Sequence, residues 1–555
     1  MSPRRGRPVR PPAPAPTSTR RPALAGALRP ALRPALRLAL AGALLATLLA
    51  CTSDRPAPLT LRVLAGSELA DMGPLLDDLR EETGIRLRME YRGTVDASRE
   101  LVPGTYRHDL AWLASDRYLQ LRQRAAGATT EPPLTTSIMR SPVVIGMKPR
   151  AAALLRARSP DRQISWADVA DAAADGSIAF AMADPRHTNS GLAALIGVAT
   201  AAAGTGGVLR PADVSCDRLR GFFSGHALSG TSSERLAESF VRAQDGLDAL
   251  VTYEAELLSL NRSGVLRTPL EIVHPRDGML LAEYPLLLLD PGKRAAYDRV
   301  VAWLKTPRVQ KKIMERTLRR PVDPTVARAP VLSAPIGNAL YFPDQQAVVD
   351  RLLADYGAAR RGGPAQVLFL LDFSTSMAGR RIGELRATFA GLSGADDSRS
   401  GRFVRFHRGE SLTVLRFGGR ILAERTVTYR GERDLARLRA FVASDDFDGS
   451  TALWSGLDAA YRRAAGILRE HPGRPLSIVL MTDGRSNAGI GLDAFLSAQR
   501  QRTGPVRDVR TYVIRYGDAD AGPLRRAARA TGGRLVDAAA RPLLDAFKEI
   551  RGCVH

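Results

Sequence analysis

Three hydrophobic runs in this chain each end abruptly on polar residues, and they constrain the fold more than any other feature. Val367–Leu371 (VLFLL) runs into Asp372, Leu476–Met481 into Thr482-Asp483-Gly484, and the run SIAFAMA at 177–183 into Asp184-Pro185. A strand apolar on both faces must be covered on both faces, so it belongs inside a mostly parallel sheet flanked by helices. Such sheets place their ligands beyond the carboxyl ends of the strands. The polar residues that stop these runs are therefore candidate site residues. With 555 residues the chain exceeds one ordinary core and is expected to form about two to four domains.

The βα pattern is clear after Pro364. Gln366–Leu371 reads as a buried strand, 380–392 as a helix, and 411–429 (SLTVLRF-GG-RILAERTVTY) as a hairpin through Gly418-Gly419. Helices are expected at 434–442 and 453–470, strands at 476–481 and 509–516, and a short strand at 534–536 between helices near 523–531 and 542–551. Asp372, Ser374 and Ser376 follow the first strand, Gly449-Ser450-Thr451 precedes the long helix, and Asp483 follows the next buried strand. Taken alone, Ser374 and Ser376 also read as helix caps.

One hairpin inside an otherwise parallel, helix-covered sheet resembles the von Willebrand factor A (vWA) domain. Its polar residues match the DxSxS…T…D pattern of the metal-ion-dependent adhesion site. The resemblance implies a doubly wound, Rossmann-like fold with one antiparallel edge strand over 365–555. It also implies a divalent cation held by Asp372, Ser374, Ser376, Thr451 and Asp483, with Mg²⁺ the expected ion and Mn²⁺ or Ca²⁺ the alternatives. Mg²⁺ takes oxygen ligands octahedrally and keeps several waters. In this family an Asp or Glu of a protein partner completes the metal shell.

From Leu59 onward the pattern is again α/β. Strands are expected at 59–64, 85–91, 108–113 and 141–147, with helices at 72–83 and, as one long element, 294–316. The ordered series GS…RGT…SD…SPVVIGMKP…DP…NSG…YE…YP resembles type II periplasmic solute-binding proteins over about 57–325. The resemblance implies a two-lobed fold with Ser67, Thr94, Ser115, Ser190 and Tyr253 facing a small solute or anion. Asn189-Ser190, at the start of an apolar helix, reads equally as an N-cap or as an anion site.

The 326–364 segment is proline-rich and carries an amphipathic stretch at 345–360, with Val348, Val349, Leu352 and Leu353 at helical spacing. It reads as a semi-rigid linker whose helix packs on a domain. At the other end, residues 1–50 hold nine arginines and no acidic residue, and 38–50 (LALAGALLATLLA) has the length of a signal-peptide core rather than of a membrane span. Leu48-Leu49-Ala50-Cys51 resembles the lipobox of bacterial lipoproteins. The expectation is a signal peptide over 1–50, lipidation at Cys51, a tether over 51–58, and a bacterial cell-membrane protein anchored by lipid on the extracytoplasmic face.

The formal net charge of +23 does not imply nucleic-acid binding, because the arginines are scattered and no basic-aromatic platform occurs. The three cysteines lie outside any metal-ligand spacing. No HExxH, GxSxG or Walker loop occurs, so no enzyme is expected. The sequence reading is a cell-envelope lipoprotein that binds a protein partner through its metal. The alternatives are a solute-binding subunit of an ABC-type importer, or a solute sensor carrying the vWA domain as an accessory.

Overall fold

The computed structural model describes residues 59–127, 131–214 and 219–551. The signal segment, Cys51, Cys216 and Cys553 lie outside the described residues. Among the described residues no helix is long and apolar enough to cross a membrane.

The first domain has two lobes, each built on its own sheet. In the first lobe the strand order is Ile85–Arg92, Leu59–Gly66, Leu110–Trp112, Pro285–Leu288, Thr135–Ser137. The first three are parallel and the return strand Pro285–Leu288 is antiparallel to its neighbours. The second lobe is built around Met139–Met147, Ala249–Tyr253, Phe180–Ala183 and His226–Gly230. The chain thus leaves the first lobe after 137, returns at 285, and reaches the second sheet again with Arg320–Pro321. A cleft lies between the lobes.

The single helix expected over 294–316 is two helices, Arg294–Leu304 and Pro307–Thr317. Pro307 has no N–H to continue the ladder and suits a first helical turn, so the Thr306 hydroxyl caps a new helix by accepting from the Val309 N–H. The strand expected over 108–113 is only Leu110–Trp112.

In the second domain six strands run in the order Ile421–Thr428, Ser411–Phe417, Gln366–Asp372, Leu476–Thr482, Arg510–Arg515, Leu535–Asp537. All neighbours are parallel except the edge hairpin. The sheet separates two apolar layers. Phe369, Leu385, Phe389 and Phe547 pack on one face, and Leu368, Leu457, Leu480 and Phe495 on the other. A further helix, Leu492–Gln501, covers the second layer through Phe495 and escaped the sequence reading.

The linker helix Gln346–Gly362 buries Val348, Val349, Leu352, Leu353 and Tyr356 in the core of the first domain. The second domain then docks on the second lobe, at helix Trp166–Ala174. Arg402 pairs with Asp168, Arg405 Nη1 donates to Asp171 Oδ1 at 2.6 Å, and the Arg408 N–H donates to the Ala174 carbonyl at 2.7 Å.

Candidate metal centre and solute cleft

The centre of the second sheet delivers the first carboxylate. Asp372 is the last residue of its strand, fully buried, and beside the end of the strand that carries Thr482. Its Oδ1 accepts from the Ser374 N–H at 2.9 Å and its Oδ2 from the Thr482 hydroxyl at 2.6 Å. Burial pushes this carboxyl up to about 6, against the pull of those hydrogen bonds. No described ion pair includes it, so its charge is met only by neutral donors.

The other expected residues converge on this point. Ser374 Oγ lies 3.0 Å from Ser376 Oγ, and the Ser376 hydroxyl donates to Asp483 Oδ1 at 2.9 Å. Two backbone bonds, Thr375 N–H to Asp448 O and Asp448 N–H to Phe373 O, both 2.9 Å, zip the 373–375 loop to the loop that ends in Thr451. Thr451 is buried, and its N–H donates to Asn487 Oδ1 at 2.8 Å. Gly484 sits between hydroxyls: a Cβ there would stand 3.7 Å from Ser376 Oγ and 3.9 Å from Thr451 Oγ1. Thus residues from three segments, as far apart in sequence as 372 and 483, share one edge of the sheet.

Two neighbours escape the sequence reading. Asn487 looks like a loop residue. Arg381 resembled any helical arginine. Yet its guanidinium pairs with both Asp483 and Asp518, and it supplies the fixed positive charge at this edge. Only the fold shows that 381, 483 and 518 are adjacent.

The donor set suits a hard cation. It offers three hydroxyls and two carboxylates and no nitrogen or sulfur. Among the described residues no cluster of three or more His, Cys, Asp or Glu occurs, as zinc or iron would favour. The uncompensated, buried Asp372 is the observation that most favours a cation here. If bound, it would be held by Asp372, Ser374, Ser376, Thr451 and Asp483, and it would supply an electrophilic position for an incoming carboxylate.

The solute-facing residues inferred for the first domain divide between two places. A cleft of about 700 Å³ between the lobes is lined by Ser67 and Tyr253. Thr94 and Ser190 stand behind it, both buried. The Thr94 hydroxyl donates to Glu68 Oε1 at 3.0 Å, and Ser190 Oγ is 3.1 Å from Ser233 Oγ. Ser115 opens instead onto a separate pocket of about 420 Å³ that the linker residues 339–344 help to line. The cap of helix Asn189–Ala203 is Thr188, whose hydroxyl accepts from the Gly191 N–H at 3.2 Å, and not Asn189-Ser190. The Asn189 side chain donates to the Tyr253 hydroxyl at 3.1 Å. Glu68, Glu256, Tyr284 and Arg319 also line the cleft and were not among the residues expected to face the solute. Arg319 is held by Asp71 at 2.9 and 2.7 Å and stacks 4.8 Å over Tyr284.

The two-lobed domain and the helix-covered sheet with a hydroxyl-carboxylate edge define a protein made of two α/β domains. Comparison with known proteins names them. Residues 61–316 match the family of bacterial extracellular solute-binding proteins, and residues 366–541 match the von Willebrand factor type A domain. The chain therefore carries a solute-binding domain followed by a vWA domain. Solved structures similar to it include the sulfate-binding protein SubI from Mycobacterium tuberculosis H37Rv, at 19% identity and a TM-score of 0.35, covering 54% of this chain and 96% of that one. Iron-bound HitA from Pseudomonas aeruginosa is 15% identical with a TM-score of 0.41, covering 54% and 99%. The periplasmic binding protein AfuA from Actinobacillus pleuropneumoniae, with fructose-6-phosphate bound, is 12% identical with a TM-score of 0.42, covering 54% and 97%. No curated protein matches the chain significantly.

Proposed function

We propose that this protein is a non-enzymatic, extracytoplasmic binding protein that captures an acidic side chain of a protein partner through a divalent cation in its vWA domain. The convergence of Asp372, Ser374, Ser376, Thr451 and Asp483 at one sheet edge carries this reading. Mg²⁺ fits the oxygen-only donor set, and Mn²⁺ or Ca²⁺ are the alternatives. Hydroxyl ligands leave the metal less neutralised than carboxylates would. A carboxylate from the partner then gains a strong, directional bond.

The test is a pull-down from envelope extract with full-length protein, in Mg²⁺ and in EDTA. Capture is expected only with Mg²⁺ and is expected to be lost in Asp372→Ala. Capture that ignores EDTA rejects the metal mechanism.

A second reading rests on the cleft of about 700 Å³ between the lobes. Its size suits a small molecule, so the first domain serves as a solute-capturing module, either for import or to sense a solute. The linker helix meets helices of both lobes, Arg117–Ala125 and Arg220–Ser224, so lobe movement would reach the vWA domain through it. In either reading Cys51 carries the lipid anchor to the bacterial cell membrane. Cys51→Ser is expected to abolish lipid labelling and release the protein.

A further inference from the structure

The charges in the interlobe cleft do not suit an anion. Glu68 follows strand Leu59–Gly66 in the first lobe, and Glu256 lies in the first turn of helix Glu254–Arg262 in the second. Both line the cleft, and neither belongs to an ion pair among the described residues. Their partners are neutral hydroxyls: Thr94 and Ser67 for Glu68, and Thr252 for Glu256. The groups that would welcome an anion are outnumbered. Arg319 is held by Asp71 although its Nε has no partner, Arg242 faces Glu238 at 3.9 Å, and these two cations stand among five carboxylates in the cleft lining, Glu68, Asp71, Glu234, Glu238 and Glu256.

A second feature marks the cleft as a place for a polar ligand. Tyr284 is fully buried and lines the cleft, yet its hydroxyl makes no hydrogen bond of good geometry. Its neighbour, Arg319, stacks on the ring. A buried polar atom left without a bond costs about 1–3 kcal/mol, so a ligand group that bonds to it is favoured. The Tyr253 ring, 6.0 Å from that of Tyr284, adds a negative π face that attracts cations. The outer wall is apolar, with Ala237, Val241, Leu260 and Val265.

We infer that the interlobe cleft takes a small organic cation, an ammonium group on an apolar body, held between Glu68 and Glu256 with the Tyr284 hydroxyl as a further acceptor. This rests on the reading of the first domain as a solute-binding module and names the class of its solute. An ammonium ion supplies the charge and the N–H donors that the two carboxylates and the phenol lack.

Binding is coupled to a proton. Burial raises both carboxyls, Glu256 to about 7, and the charge of Glu68 adds to the rise at Glu256. Arg319 opposes it and Asp71 reinforces it. Tyr253 and Tyr284 stay neutral, and the helix opposite contributes Glu234, Glu238 and Arg242. The incoming ammonium finds Glu256 protonated below pH 7. The bound state keeps the carboxylate, and one proton leaves to solvent. Affinity therefore rises up to about tenfold per pH unit from pH 5.5 to 7 and levels off above.

Titration calorimetry on the full chain, in EDTA to silence the vWA centre, tests this. The probes are phenethylammonium, tetramethylammonium and cadaverine, with sulfate and 3-phenylpropionate as anions, and Fe³⁺ citrate followed separately by absorbance without EDTA. At least one amine is expected to bind saturably, with the stated pH dependence. Glu256→Gln and Glu68→Gln are each expected to weaken it tenfold or more while keeping the thermal transition, and Tyr284→Phe severalfold. Binding of an anion, or of ferric iron lost in Glu256→Gln, with no amine bound, overturns the cation but leaves the solute-binding reading standing. No binding by any probe also overturns the cation. If thermal shift against a broad solute library is silent as well, the solute-binding reading falls too.

Discussion

If Asp372 holds a cation as proposed, it sets function against stability, and the trade can be measured. Its carboxylate is fully buried, meets the neutral donors of Ser374 and Thr482, and pairs with no cation among the described residues. A folded-state value of about 6 against an ordinary 3.8 corresponds to about 3 kcal/mol of destabilisation once the group is ionised. The sign follows from proton uptake. Between pH 3.8 and 6 the folded chain holds a proton that the unfolded chain has lost, so the folded state is favoured by acid and the full cost is present above pH 6. Asp372→Asn removes the charge at nearly constant shape. Its oxygen still accepts from Ser374, and its NH₂ donates to Thr482 in place of the reverse bond, which returns part of the gain. In EDTA at pH 7.5 the variant is expected to be more stable than wild type by about 1–3 kcal/mol, several degrees in Tm. On the proposed metal site, wild type is expected to gain stability as Mg²⁺ is added, because a ligand that binds only the folded state stabilises it, whereas Asp372→Asn is expected not to respond. The assay is calorimetric unfolding of both proteins in EDTA and in Mg²⁺. A variant less stable than wild type in EDTA, or equally stabilised by Mg²⁺, refutes the argument.

Two further outcomes are expected. Glu254 and Arg320 form a nearly fully buried pair, with bonds of 2.7 and 2.8 Å, so Glu254→Ala strands a buried guanidinium and is expected to cost about 3–5 kcal/mol by chemical denaturation; a loss below about 1 kcal/mol would show that the pair does not hold the fold. His226, stacked on Phe180 with its Nε2 at 2.9 Å from the Met182 and Leu228 carbonyls, is depressed by burial to about 4, so stability is present above pH 6.5 and drains away as pH falls toward 4. Wild type is expected to lose about 3 kcal/mol more than His226→Gln over that interval, and parallel pH curves would contradict it.

Much of the fold was legible because it is written in local patterns. The strands that end at Asp372 and Thr482 are apolar on both faces, and the hairpin shows in its alternation and its Gly418-Gly419 turn. The break at Pro307 was also written in the sequence, but the apolar spacing on either side of it masked the boundary. The site was less legible. Asp372, Ser374 and Ser376 sit on one loop, and their pattern is short-range. Arg381, Asn487 and Thr482 become part of the site only through the packing of separate loops. The same holds in the first domain, where Ser67 and Tyr253 share a cleft but Ser115 faces the linker.

The sequence alone determined that this chain forms helix-covered sheets, where their strands stop, and which hydroxyls and carboxylates stand at those stops. Hydrophobic period and backbone propensity act between near neighbours, so a single sequence displays them. The tertiary structure decided the charge each site presents. It left Asp372, Glu68 and Glu256 outside any ion pair among the described residues and tied Arg319 to Asp71. It also bound the second domain to the first through Arg402 and Arg405. Burial and Coulomb interactions depend on distances through space between residues far apart in the chain, and only folding sets those distances.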